Sequence, residues 1–161
     1  MKLHEIASQK SIVLVSGNIC SGKGTFCAKQ FPGYHIIGVS SVVKELSGFN
    51  KRSELGTTAN LDSKIVARLI EEVTKSSEDK IVIEGIRQLS IMEKLEEYFG
   101  DQIKDVIWLD VPHEVLRSRF EKRNAGKDDM DFSKAMQSDQ NLGIDDVESY
   151  IRTHHRVIKN H

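Results

Sequence analysis

Residues 17–23 read Gly17-Asn18-Ile19-Cys20-Ser21-Gly22-Lys23, a G-x-x-x-x-G-K string. Directly before it lies Ile12-Val13-Leu14-Val15, the continuous apolar run expected of a strand buried on both faces of a parallel sheet. Directly after it the chain is patterned as a helix. Strand, glycine-rich turn and helix N-terminus in succession form a phosphate cradle. Glycines let backbone N–H groups turn inward around anionic oxygens, and the helix start adds partial positive charge. Lys23 supplies a mobile cation. This context favours phosphate binding by Gly17, Asn18, Ile19, Cys20, Ser21, Gly22, Lys23, Gly24 and Thr25 over a glycine-rich turn without a ligand.

The remaining apolar runs predict the rest of an α/β fold. His35–Val39, Ile81–Ile83, Val106–Leu109 and, more weakly, Val157-Ile158 read as further strands. Between them, Leu61–Thr74 places Ile65, Leu69 and Val73 at four-residue spacing, and Ile91–Phe99 and Val115–Arg123 carry similar stripes. Alternating strands and helices mean βαβ units, a parallel sheet and right-handed crossovers. The expected architecture is a single P-loop domain over residues 1–161, a three-layer fold with five parallel strands in the order 2-3-1-4-5. Polar stretches at Gly48–Thr58, Ser76–Asp79 and Ala125–Asp131 read as loops. A small lid is expected at about 124–142 and a second-ligand segment at about 40–60.

Composition narrows the function classes. With 161 residues, 23 Lys plus Arg against 24 Asp plus Glu and a net charge of −1, the chain lacks the basic character of a duplex nucleic-acid binder. No apolar run approaches the ~18 residues of a membrane span. Nor do Met1–Lys10 resemble a signal peptide. Two cysteines, Cys20 and Cys27, make no disulfide framework and read as reduced thiols in a cytoplasm. His154, His155 and His161 lack partners at metal-ligand spacing. The expected partners are small-molecule nucleotides, with no nucleic acid and no membrane.

The string Gly22-Lys23-Gly24-Thr25 places glycine where a magnesium-ligating Ser or Thr usually follows the lysine, and it resembles adenylate kinase and related nucleoside monophosphate kinases. Three other segments extend the resemblance from Ser11 to about Asn160. Glu84-Gly85-Ile86-Arg87 looks like the family's Asp-Gly-Phe-Pro-Arg turn. Val42-Val43-Lys44 falls where a short helix clamps the acceptor. Val111-Pro112 opens a helix carrying Arg119 and Arg123. The second half, with Leu142-Gly143-Ile144, is most similar to short adenylate-kinase-like P-loop proteins of archaea and phages.

The resemblance implies phosphoryl transfer from ATP to a nucleoside or deoxynucleoside monophosphate. Lys23, Arg87 and Arg123 would be catalytic, with Arg119 and Arg123 on ATP. Ser41, Lys44, Glu84, Gly85 and Arg87 would hold the acceptor. Mg²⁺ would be held through water by Glu84 and Thr25. Plainer readings stand beside these: Glu84 as a helix-capping acid, Ser41 as a helix cap, and Arg117 as a solvated helix residue. In one departure from the family, Asp128–Leu142 contains no arginine, Ser138 stands where the short proteins tend to carry one, and Lys127 and Lys134 are the nearest cations. Alternatives are a kinase for another small molecule, such as dephospho-coenzyme A, and a nucleotide-binding ATPase or regulator without an acceptor.

Overall fold

A computed structural model describes residues 9–48, 61–124 and 130–160. The strands are β1 (Ser11–Gly17), β2 (His35–Gly38), β3 (Lys80–Glu84), β4 (Ile103–Asp110) and β5 (Arg156–Lys159). The helices are α1 (Lys23–Gln30), α2 (Val39–Ser47), α3 (Asp62–Lys75), α4 (Leu89–Phe99), α5 (His113–Asn124), α6 (Phe132–Leu142) and α7 (Ile144–His154). The sheet is entirely parallel, in the order β2-β3-β1-β4-β5. This is the expected P-loop architecture.

Strand alternation explains why the runs contain almost no polar residue. Successive side chains point to opposite faces, and here both faces are covered. Ile12, Leu14, Ile81 and Ile83 enter a core packed by α2, α3, α4 and α7. Val13, Val15, Val82, Ile107 and Leu109 enter a second core with Phe26 and Cys27 of α1. A third, smaller cluster joins α5 and α6 to the turn after β1, through Leu116, Phe120, Phe132, Ala135, Ile19 and Cys20.

Parallel pairing brings the strands' carboxyl ends to one edge. Gly38 pairs with Glu84, Val15 with Glu84, Gly17 with Leu109, and Asp110 with Lys159. The segments following β1 to β4, and Asn160 after β5, therefore converge there, as ligand sites do in open α/β sheets.

Two features differ from the sequence expectation. Val39 opens α2 instead of ending β2. Of the segment expected as a lid, residues 132–142 form helix α6. Asp131 caps it by accepting from Lys134 N–H at 2.9 Å, and Phe132 stacks edge-on against His113 and Phe120. Helix α7 lies where the sequence expectation places no element, although Ile144, Val147 and Ile151 give it a buried stripe. Residues 49–60 of the second-ligand segment, and residues 125–129 between α5 and α6, lie outside the described residues. Among the described residues no helix is long and apolar enough to cross a membrane.

Ile83 is fully buried in β3, between β2 and β1. Ile83→Ala is expected to lower unfolding free energy by about 2–5 kcal/mol through lost burial and the cavity left behind. Chemical denaturation of the purified variant measures it.

Candidate functional site

The turn after β1 is built by close approach. Gly17 carries no β-carbon because one would lie 2.5 Å from Ser21 Oγ. Ser21 N–H bonds back to Asn18 O at 3.1 Å, closing the turn. Gly22 precedes α1 at φ 84°, where a side chain is strained and would meet Asn160 Nδ2. Cys20 adopts φ 61° without being glycine, a conformation that costs on the order of 1 kcal/mol. Its carbonyl accepts from Arg119 Nη1 at 3.3 Å, and its thiol lies 3.8 Å from Arg123 Nη1. No side chain caps α1, so its first N–H groups are left for a ligand.

Lys23 folds back onto this turn. Its Nζ donates to Asn18 O at 3.0 Å and Gly17 O at 3.2 Å. Burial, and next the Arg87 guanidinium, push its pKa down from 10.5 to about 8, against Glu84 and Asp139, which pull it upward. The Cys27 thiol beneath is pushed up to about 12, first by burial and then by Glu84. With no exposed surface, it is inert packing.

Two clefts flank the turn. One, of about 280 Å³, is lined by Lys23, Gly24, Ser40, Glu84, Gly85, Arg87 and Asp139. The other, of about 610 Å³, is lined by Thr25, Phe26, Lys29, Arg119, Lys122, Ile158 and Asn160. Cys20, Gly22 and Arg123 line both. Glu84 stands at the end of β3, so close to the Gly38 backbone that a β-carbon there would lie 3.0 Å from its Oε1. Gly85 N–H donates to Val15 O at 2.9 Å and Ser16 Oγ to Ile86 O at 3.1 Å, which anchors the Glu84–Arg87 turn to β1.

The structure thus gathers the 17–25 turn, Glu84, Gly85, Arg87, Arg119 and Arg123 around the two clefts. Ser41 and Lys44 are exposed on α2 and line neither, whereas Ser40 reaches the cleft. Two further residues escaped the sequence reading. Asn160 donates from Nδ2 to Ser21 O at 2.8 Å and accepts from Arg119 Nη2 at 3.1 Å, so it ties β5 to the phosphate turn. Asp139 of α6 lies 3.3 Å from Arg87 Nη1. Neither sits in a motif, and only the fold brings them to the site. Among the described residues there is no group of three metal-ligating side chains.

The sequence matches the AAA domain family over residues 13–143, and the chain belongs to that family. No curated protein matches it in sequence. Solved structures with the same fold include TT1252 from Thermus thermophilus, with a TM-score of 0.58 and 16% identity over 94% of this chain and 89% of that one. A gluconokinase from Sinorhizobium meliloti 1021 aligns with a TM-score of 0.58 and 20% identity over 94% and 81% of the two chains. A shikimate kinase from Bacteroides thetaiotaomicron gives 0.56 and 13% over 93% and 86%. The shared feature is the P-loop fold, a parallel sheet flanked by helices.

Lys23 generates a prediction with a definite sign. Below about pH 8 its charge is held in the native state at a cost. Between pH 8 and 10.5 the unfolded chain keeps a proton that the native protein has released, so stability rises with pH across that window. Lys23→Met should therefore fold and be more stable near pH 7, by about 1–3 kcal/mol. Tripolyphosphate, by recharging Lys23, should draw more protons from solution near pH 8 in the wild type than in the variant, whose exchange reports the ligand's own groups. Calorimetric titration in buffers of different ionisation enthalpy reads the uptake.

Proposed function

Proceeding from membership of the AAA domain family and from its kinase-like P-loop fold, we propose that this chain is an ATP-dependent phosphotransferase whose acceptor is a nucleoside or deoxynucleoside monophosphate. The observation that carries the reading is the meeting of two clefts at one phosphate turn, with Cys20, Gly22 and Arg123 common to both. Two anionic ligands entering from opposite sides would have their phosphates face each other there, as in-line transfer requires.

In this reading the donor nucleoside lies in the cleft of Arg119, Phe26 and Asn160, and its β- and γ-phosphates lie in the 17–25 turn. Lys23 leaves the loop carbonyls for the transferred group, and Arg123 bridges the two sides. Arg87 grips the acceptor phosphate, with Ser40 beside it. An anionic acceptor phosphate needs no general base, so the chain's contribution is positioning and electrostatic stabilisation. Glu84 and Thr25 are oxygen donors that suit Mg²⁺, and the lack of a dense ligand cluster among the described residues fits an ion held mainly through water and phosphate oxygens. When bound, that ion neutralises phosphate charge.

A second reading, transfer to another small molecule, draws support from the exposed Lys44. With Lys44 outside the cleft, Arg87 is the principal described cation on the acceptor side, and that suits an acceptor carrying less charge. The experiment is ADP release measured against every ribo- and deoxyribonucleoside monophosphate, with sugar acids and dephospho-coenzyme A alongside. Turnover confined to one or more monophosphates supports the main reading. Turnover of a non-nucleotide only, or hydrolysis without an acceptor, overturns it. Lys23→Met should slow transfer by about 2–4 kcal/mol of transition-state stabilisation. Arg87→Ala should raise the KM for the monophosphate about 10- to 100-fold and leave ATP binding nearly unchanged, because a charge-assisted guanidinium contact is worth about 1.5–3 kcal/mol. Separate titration of the two substrates checks it.

A further inference from the structure

Asp139 is the one buried acid among the described residues, at 3% exposure. It lies on α6 and lines the cleft that holds Lys23, Glu84, Arg87 and Arg123. Its Oδ1 is 3.3 Å from Arg87 Nη1, yet that oxygen accepts no hydrogen bond. A carboxylate built in as scaffold would have its oxygens satisfied by aligned donors, since an unmet buried acceptor is costly. Here Oδ1 is held by charge alone, buried against Arg87 in the wall of the cleft. Lys23 and Arg87, two of the cleft's three cations, thus have internal partners, Lys23 in loop carbonyls and Arg87 in a carboxylate.

We infer that Asp139 is an internal competitor for the acceptor phosphate, whose arrival on Arg87 displaces the carboxylate and loosens helix α6 from the acceptor turn. The inference deepens the proposed function and rests on its assignment of Arg87 to the acceptor. A phosphate presents more charge than a carboxylate and offers two oxygens to the guanidinium fork, so the exchange runs toward the ligand once it is present. The helix is coupled to the exchange by its position. Leu142, one turn beyond Asp139, sits beside Arg87 and Gln88 in a small pocket. Gly143, which ends α6 at φ 108°, lies against the Arg87 carbonyl. By linkage, whatever loosens α6 also favours phosphate at Arg87. Asp139 therefore sets the apparent affinity for the acceptor, because only molecules that have released Arg87 are competent to bind it.

The test compares the wild type, Asp139→Asn, Arg87→Ala and the double variant. Inorganic phosphate serves as the probe in isothermal titration, and hydrogen exchange of α6 is followed with and without it. The part of phosphate binding lost in Arg87→Ala defines the site. Asp139→Asn should tighten that part about tenfold. Phosphate should speed exchange of α6 in the wild type and leave it unchanged in Asp139→Asn, where it is already fast. Equal or weaker phosphate binding by Asp139→Asn would make the residue a positioning group for Arg87 and overturns the inference. So does an α6 in the wild type whose exchange ignores phosphate, a measurement that needs no variant to fold. Tightening that persists without Arg87 removes both the inference and the acceptor assignment. If instead the Arg87-dependent tightening appears but no monophosphate is turned over, the competitor stands and the nucleoside monophosphate reading falls.

Discussion

Parallel pairing of β1 with β3 on one side and β4 on the other is the constraint from which the site derives. A central strand covered on both faces has no freedom in direction or register. A one-residue slip would exchange Ile12 and Leu14 with Val13 and Val15 between two differently shaped cores. That rigidity passes into the turn that follows, whose geometry depends on the close approach of Gly17 to Ser21. The same pairing presents Glu84 and the Arg87 turn beside it, held through Gly85 N–H and Ser16 Oγ. Phosphate cradle and opposing arginine are thus two ends of one hydrogen-bonded ladder.

Charge in the cleft is arranged as nearly closed circuits. Lys23, Arg87 and Arg123 face Glu84 and Asp139, and each described cation has a partner within the protein. Desolvation and Arg87 already hold Lys23 well below the ordinary lysine range. Without internal partners the cluster would repel itself further. The partners are weak or strained: a pair of loop carbonyls, a thiol, a carboxylate with an unmet oxygen. Such contacts offset part of the repulsion among the three cations without the rigidity of aligned, bidentate ion pairs.

Much of this was legible in the sequence because it is local. Continuous apolar runs fixed four strands to within a few residues, and β5 followed from two residues, Val157 and Ile158. The phosphate turn was readable because its glycines, lysine and helix start fall within nine positions. What escaped is long-range. Asp139 reads as one acid among several in a polar stretch, and Asn160 as a tail residue; each gains meaning only when the fold sets it against Arg87 or Ser21. Helix α6 is weakly signalled, because its polar face, Ser133, Lys134, Gln137 and Gln140, outweighs the stripe of Phe132, Ala135 and Ser138. Lys44 is placed by analogy of position; it lies one turn along α2 from Ser40 on the same face, and stands exposed beyond the cleft that Ser40 lines.

The bond from Asn160 to Ser21 spans 139 residues of sequence, and Arg119 reaches back 99 residues to the same turn. Contacts so distant along a chain form only after the intervening segments have condensed, since their loop-closure entropy must first be reduced by other pairings. The cradle written near the start of the sequence is accordingly clamped by residues from its far end. A partly folded chain, even with β1 and α1 in place, has a turn without its two clamps and no cleft walls. Affinity for nucleotide is therefore a property of the finished molecule, and a bound nucleotide would select completed chains from a population still folding.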